Sequence, residues 1–247
     1  MIKYILWDID NTLLDFDMAE KSSMLSGLKR LGIDKISEES LEDYKKINDK
    51  YWKKLEKGEI SRKEVLLGRF EEFFDKKGID YDQDIVEIFN ENFQKDLGIN
   101  VAFHKNAKNV LEKLKENYKQ YAITNGTKVA QEAKIENSGL ENILDGVFIS
   151  EDLGVDKPNK EFFDIVLKQV GSKDPREYIV IGDSLTSDIK GANKAGIKCI
   201  WFNPKHKINE RDVSIDYSIH DLAKVIDILD DLSDWYKSEK CMWKALG

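Results

Sequence analysis

Cysteine is scarce in this chain: 247 residues contain two, Cys199 and Cys241. Two thiols build no disulfide framework, and a reducing cytosol is the expected home. The histidines His104, His206 and His220 show no ligand spacing and read as solvated, so an imidazole metal site is not expected. Long apolar runs are missing as well. The opening stretch Tyr4 to Trp7 is too short for a secretion signal, and nothing later approaches a membrane span. The expectation is a cytoplasmic protein without a membrane partner. Positive charge is in deficit, with 39 Lys and Arg against 47 Asp and Glu and a net charge of −8. That balance argues against nucleic acid as a partner but leaves room for a local positive site that takes a small phosphate. A glycine-rich Walker loop is also lacking, which argues against an ATP-driven motor.

What is present is a polar, globular composition, 41% hydrophobic and 35% charged. The charge exceeds the roughly 25% of an average domain and belongs on solvated helix faces. Residues 3–8 read as a buried strand that stops at acidic residues. Residues 15–101 read as helix only, with helices expected at 17–31, 38–57, 61–77 and 82–97. Leu41, Tyr44, Ile47, Tyr51 and Leu55 recur at helical steps, and Ser61 with Glu64 has the form of a capping box. After residue 100, strands and helices alternate. Strands are expected at 120–124, 146–150, 178–182, 197–202 and 216–219. Helices are expected around Val110, at 128–137, from Pro158 to Gly171, at 186–195 and around Leu229. This reads as an α/β fold, a doubly wound, Rossmann-like parallel sheet with a helical insertion. The core is expected at 1–14 and 102–233 and the insertion at 15–101. The tail, 234–247, carries Trp235, Tyr236 and Trp243 and is expected to pack on its own surface.

Ligands of open α/β sheets bind at the carboxyl ends of the strands. The residues there are Asp8-Ile9-Asp10-Asn11-Thr12, Thr124-Asn125-Gly126, Lys157-Pro158 and Gly182-Asp183 through Asp188. Asp8 and Asp10 are two apart and share a side of the strand's end. Carboxylates crowded into one site repel one another unless something positive joins them. An oxygen-rich, sulfur-free cluster of Asp8, Asp10, Asp183 and Asp188 suits Mg²⁺. Each piece alone also fits ordinary cap and turn chemistry, which favours Asp and Asn after strands. Thr124, Asn125 and Gly126 open a helix, where backbone N–H groups accept an anion; the plain alternative is a cap. Lys157 would neutralise both a nucleophile and an incoming phosphate.

In this order, Asp-x-Asp-x-Thr, a strand-ending Thr, Lys-Pro and Gly-Asp-x-x-x-x-Asp resemble the motifs of the haloacid dehalogenase superfamily. The insertion after the first motif resembles that family's helical cap. Thr124-Asn125-Gly126, Ile149 to Gly154, Lys157 to Phe163 and Gly68-Arg69-Phe70-Glu71 are similar to the bacterial pyrimidine 5′-nucleotidases of the superfamily. The resemblance implies a Mg²⁺-dependent phosphatase. In it, Asp8 attacks phosphorus and Asp10 serves as acid, then base. Asp8, the Asp10 carbonyl and Asp183 would hold the metal, with Asp188 placing a metal water or Lys157. Thr124, Asn125 and Gly126 would hold phosphate oxygens. Asp10 argues against the dehalogenating branch, because a halide leaves without a proton. One departure is Lys105-Asn106, where relatives carry Pro-Gly; it bears on hinge motion of the cap.

Three other readings stay open. Pyrimidine nucleoside 5′-monophosphates are the expected substrates, and the alternative is another small metabolite, such as phosphoglycolate or a sugar phosphate. Gly182-Asp183-Ser184-Leu185 also spells a serine-esterase signature with Ser184 as nucleophile, although it sits late in the chain and Asp216 to His220 has the wrong spacing for its partner. A non-catalytic phospho-receiver would share the acidic pocket, but at half this length and without the insertion. For specificity, the cap is expected to roof the site and admit only small phosphomonoesters. Of Tyr44, Tyr51, Trp52, Phe70, Phe73 and Phe74, one or two could stack on a base, the rest forming core. Arg69 is read either as a cap residue near the site or as half of a surface ion pair with a neighbouring Glu.

Overall fold

The computed structural model describes residues 1–33, 36–209 and 212–245, with side chains left undescribed over 235–245. After β1 (Tyr4–Trp7) come α1 (Phe16–Arg30), α2 (Glu38–Glu56), α3 (Arg62–Lys77) and α4 (Gln83–Leu97), with no strand among the described residues between them. Alternation then sets in: α5 (Ala107–Leu114), β2 (Lys119–Thr124), α6 (Lys128–Ser138), β3 (Gly146–Ile149), α7 (Ser150–Leu153), α8 (Lys160–Val170) and β4 (Tyr178–Gly182). The chain closes with α9 (Lys190–Ala195), β5 (Lys198–Phe202), β6 (Tyr217–Ile219) and α10 (Lys224–Ala245). The expected tail thus continues a helix, while the side chains of Trp235, Tyr236 and Trp243 lie outside the described residues.

Local chemistry sets the helix ends. Ser61 and Glu64 form the expected reciprocal capping box on α3. Ser37 and Asp82 cap α2 and α4 through their side chains. Pro158 does not start α8; the Asn159 side chain caps it by accepting from the Glu161 N–H. The helix expected over 186–195 is divided, with a π-helical turn at Leu185–Ile189 preceding α9. Asn106, at the start of α5, adopts φ 67° and ψ −7°. Asparagine is among the residues that tolerate this left-handed region, and its amide donates to Asp221 at 2.7 Å.

Two compact units result, one of residues 1–15, 102–126 and 138–247, the other of 16–101 and 127–137. The first holds a parallel six-stranded sheet in the order β3-β2-β1-β4-β5-β6. Alternate strand residues Leu6, Ile123, Val180, Cys199 and Trp201 pack with Phe162, Phe163, Val166, Ile189 and Ala192 from the helical segments after β3 and β4. Cys199 is a buried core residue, as expected, and burial pushes its thiol up to about 11. The opposite face buries Ile5, Trp7, Ile179 and Ile181; there Gln120 accepts from the Trp7 indole and donates to the Leu111 carbonyl of α5.

The second unit packs α1 to α4 around an aromatic cluster of Tyr44, Phe70, Phe73, Phe74, Phe89 and Phe93. Residues 127–137 join it. Ala130 lies in that cluster, and Asn137 donates to the Gly98 carbonyl at 2.7 Å. Of the six aromatics considered for base stacking, Tyr44, Phe70, Phe73 and Phe74 are fully buried. Tyr51 and Trp52 keep some exposure, and cations lie over both rings, Lys50 and Lys54 over Tyr51 and Arg62 over Trp52.

Arg69 departs from the expectation of a surface ion pair. It is 1% exposed and, among the described residues, forms no ion pair; its guanidinium lies over the Phe70 and Phe93 rings. It donates to Asn48 Oδ1 at 2.8 Å and Asn90 Oδ1 at 3.4 Å, and Asn48 in turn donates to Glu20 at 2.6 Å. Burial pushes the Glu20 carboxyl up to about 7, against the pull of the Arg69 charge. Removing the cation would take its charge from the buried Glu20 and its donor from Asn48 Oδ1. Arg69→Ala should therefore cost about 3–5 kcal/mol of stability in urea unfolding. A loss below about 1 kcal/mol would show that the buried guanidinium is dispensable.

Candidate active site

The strand order 3-2-1-4-5-6 places the topological switch between β1 and β4. Their register pairs Trp7 with Ile181, so Asp8 and Gly182 leave the sheet side by side, and the Asp8 N–H donates to the Ile181 carbonyl at 2.9 Å. Asp8, Asp183 and Asp188 each offer a carboxylate oxygen within 4.8 Å of the others. Lys157 enters their midst. Its ammonium donates to Asp8 Oδ1 at 2.9 Å, Asp188 Oδ1 at 2.7 Å and the Ile123 carbonyl at 2.8 Å. Those three bonds use all three donors of the ammonium. Lys157 is 1% exposed, and the two carboxylates outweigh burial in raising its pKa.

The carboxylates are out of electrostatic balance. Burial first, then repulsion from Asp188, pushes Asp8 up to about 7, with Lys157 pulling the other way. Burial and the Asp8 charge raise Asp183 well above the usual carboxylate range. Three carboxylates face one ammonium, so the cluster lacks positive charge. Its donors are hard oxygens, which fits Mg²⁺.

The other expected residues are spread around this centre. Asp10 lies two residues past Asp8 in the tight turn 9–14, where Asn11 has φ 62°, and its charge adds to the pressure on Asp8. Thr124 is buried, and its hydroxyl accepts from the Gly126 N–H at 3.1 Å. The Asn125 side chain grips the Lys157 backbone at both ends: Nδ2 donates to the carbonyl and Oδ1 accepts the N–H, each at 2.8 Å. The plain cap reading of Thr124 and Asn125 gives way to Thr127, whose hydroxyl accepts from the Ala130 N–H.

Several supporting residues escaped the sequence reading. The Thr12 hydroxyl accepts from the Asp183 N–H at 3.0 Å, and the Trp201 indole donates to the Asp183 carbonyl at 2.9 Å. Gly182 is required by space, since a Cβ there would overlap the Asp188 carboxylate. Thr12 and Gly182 carried a signal, as members of their motifs, and Trp201 carried none.

The esterase reading fails here. Ser184 Oγ accepts from the Ser187 N–H at the head of the π-helical turn and shares a hydrogen with Thr186. His220 does not serve it: its Nδ1 lies 2.6 Å from the Asn203 carbonyl and its ring packs on His206, centroids 3.9 Å apart. Nor is His104 simply solvated, for it meets the Phe202 ring edge-on.

A parallel sheet with an acidic centre at its switch point and a buried lysine defines a class of hydrolases, and comparison with known proteins agrees. The family model of haloacid dehalogenase-like hydrolases matches residues 2–196, and the chain belongs to that family. It is an enzyme of the phosphatase kind. It is 35% identical over 230 residues to pyrimidine 5′-nucleotidase PynA of Streptococcus pneumoniae, covering 92% of this chain and 95% of that one. With pyrimidine 5′-nucleotidase YjjG of Escherichia coli it shares 29% over 229 residues, 92% and 97% of the two chains. The magnesium-bound crystal structure of the putative hydrolase YfnB of Bacillus subtilis superposes with a TM-score of 0.86. Identity there is 30%, over 92% of this chain and 98% of that one. Among the described residues, no helix is long and apolar enough to cross a membrane.

The raised carboxyls set a pH dependence. A carboxyl with a higher pKa folded than unfolded binds protons preferentially in the folded state. Its burial is best tolerated below the unfolded value of about 3.9, and stability falls as pH rises toward the folded value. For Asp8 that value is about 7. In EDTA, stability should decline between about pH 4 and about pH 7. Asp183→Asn should flatten the decline and add on the order of 1 kcal/mol at the upper end. Urea unfolding at both pH values checks it; a steeper decline in the variant would contradict the assignment.

Proposed function

We propose that the protein is a Mg²⁺-dependent phosphomonoesterase working through an aspartyl-phosphate, and that its substrates are pyrimidine nucleoside 5′-monophosphates. The observation that carries the chemistry is the buried Asp8–Lys157–Asp188 contact with Asp183 beside it. In this reading an oxygen of Asp8 attacks phosphorus as the ester oxygen departs, and Asp10 gives that oxygen its proton. Water then attacks the same phosphorus, Asp10 takes its proton, and the bond from phosphorus to the Asp8 oxygen breaks, which restores the Asp8 carboxylate and releases phosphate. Lys157 holds Asp8 in place and offsets its charge. Thr124, Asn125 and Gly126 bind phosphate oxygens through hydroxyl and backbone N–H groups. Asp8, the Asp10 carbonyl and Asp183 would hold Mg²⁺, with Asp188 holding Lys157 behind them. When bound, the cation would offset charge on the carboxylates and the phosphoryl group.

Support for the nucleotide comes from the likeness to PynA and YjjG, which spans more than nine-tenths of this chain and of both relatives. Support for a small phosphomonoester also comes from the acidic composition, net charge −8, which disfavours polyanionic substrates.

The test is a comparison of specificity constants with Mg²⁺ present. Deoxyuridine and thymidine 5′-monophosphates should exceed purine monophosphates, phosphoglycolate and hexose phosphates by about tenfold or more, a difference of roughly 1.4 kcal/mol. A preference for phosphoglycolate or a sugar phosphate would keep the phosphatase and refute the nucleotidase. Asp8→Asn should lower kcat by at least about 10³-fold, as expected when a nucleophile is lost. Near-normal turnover in that variant would overturn the nucleophile, and full activity in excess EDTA would overturn the metal.

A further inference from the structure

Trp201 serves Asp183 in a way that core packing does not require. It lies on β5 opposite Gly182 of β4 and is 4% exposed, its ring part of the hydrophobic cluster on that face of the sheet. A phenylalanine would fill much of the same space. Only the indole has a donor, and that donor reaches the Asp183 carbonyl at 2.9 Å. On the other side of the same residue, the Asp183 N–H reaches the Thr12 hydroxyl at 3.0 Å. One step further on, the Ser184 N–H reaches Asp188 Oδ2 at 3.1 Å. The backbone around Asp183 is therefore tied to the β1 motif, to β5 and to the π-helical turn.

Such anchoring has a physical purpose. The Asp183 carboxylate is repelled by Asp8 and Asp188 and has no cation within salt-bridge distance among the described residues, whereas Asp8 and Asp188 share Lys157. A loop free to turn its peptide planes would relieve that repulsion by swinging the carboxylate away. We propose that Trp201 is a positioning residue for the cation site: its indole N–H holds the Asp183 backbone so that the carboxylate stays beside Asp8 before a divalent cation arrives. This rests on the reading that Asp8 and Asp183 hold Mg²⁺. Preorganisation of this kind changes cation affinity more than the chemical step, because a bound cation then holds Asp183 by itself.

The experiment measures Mg²⁺ binding by calorimetry on the full chain. Trp201→Phe should weaken Mg²⁺ binding about fivefold to tenfold, the scale of one lost hydrogen bond. The Mg²⁺ concentration for half-maximal turnover should rise by the same factor, and turnover lost at low Mg²⁺ should return as Mg²⁺ is raised. A variant with wild-type Mg²⁺ affinity overturns the proposal, even if its melting temperature or kcat drops, since that pattern belongs to a packing role. Wild-type protein that binds no Mg²⁺ overturns the metal reading and this inference with it, a result distinguishable from the first. If Trp201→Phe does not fold, indole N–H resonances of ¹⁵N-tryptophan-labelled wild-type protein replace it. The Trp201 signal, assigned by elimination through phenylalanine at the other tryptophans, should shift along the calorimetric saturation curve. A stationary signal overturns the proposal.

Discussion

The Lys157 ammonium is the interaction on which the rest of the catalytic unit turns. It is 1% exposed, and it stays charged because two carboxylates and a carbonyl accept hydrogen bonds from its three N–H groups. Burying an unpaired ammonium is prohibitive, and so is burying Asp8 and Asp188 without a cation. Each group is tolerable in the interior only because the others are there. The three come from separate places, the end of β1, the loop before α8 and the π-helical turn after β4, so the charge cluster also joins these segments. Lys157 has little freedom of its own, for the Asn125 side chain grips its backbone at both ends.

The sheet makes this possible at small entropic cost. Parallel strands in the order β3-β2-β1-β4-β5-β6 bring β1 and β4 together although about 170 residues separate them. Once the strands pair, Asp8 and Asp183 are adjacent by register, with no further loop closure required. The surrounding backbone then narrows their freedom. Gly182 leaves no room for a side chain, and its missing Cβ is where the Asp188 carboxylate comes to rest.

Much of this was legible in the sequence, for a definite reason. Strands with short apolar runs and polar residues at their ends carry their function at fixed offsets, so Asp8, Thr124, Lys157 and Asp183 could be assigned to one sheet edge. Helices with caps were legible too; Ser61 with Glu64 marked the start of α3 to within a residue. Side-chain partners at long range were not. Arg69 reads either as a cap residue near the site or as half of a surface ion pair, while its donors go to Asn48 and Asn90, which lie on other helices at positions no periodicity distinguishes. Asn125 reads as a phosphate-loop residue by its backbone, while its side chain grips a lysine 32 positions away. Residues 127–137 read as one more helix of the alternating fold. Their contacts through Ala130 and Asn137, which no local pattern announces, put them with the helical unit.

Charge also orders events at the proposed site. Asp8, Asp183 and Asp188 surround a single ammonium, and burial has already pushed the first two above their ordinary range. A phosphate monoester brings up to two further negative charges. In a poorly solvated pocket, the repulsion between such a ligand and ionised carboxylates exceeds what one lysine offsets, because Lys157 is already fully bonded. The substrate would enter favourably only after the carboxylates had gained a cation or protons. Protonating Asp8 would remove the proposed nucleophile, so on that reading protons restore balance at the expense of reactivity. A divalent cation restores it while leaving Asp8 ionised. The same imbalance that makes the isolated cluster costly thus selects for a cation that precedes or accompanies the phosphate.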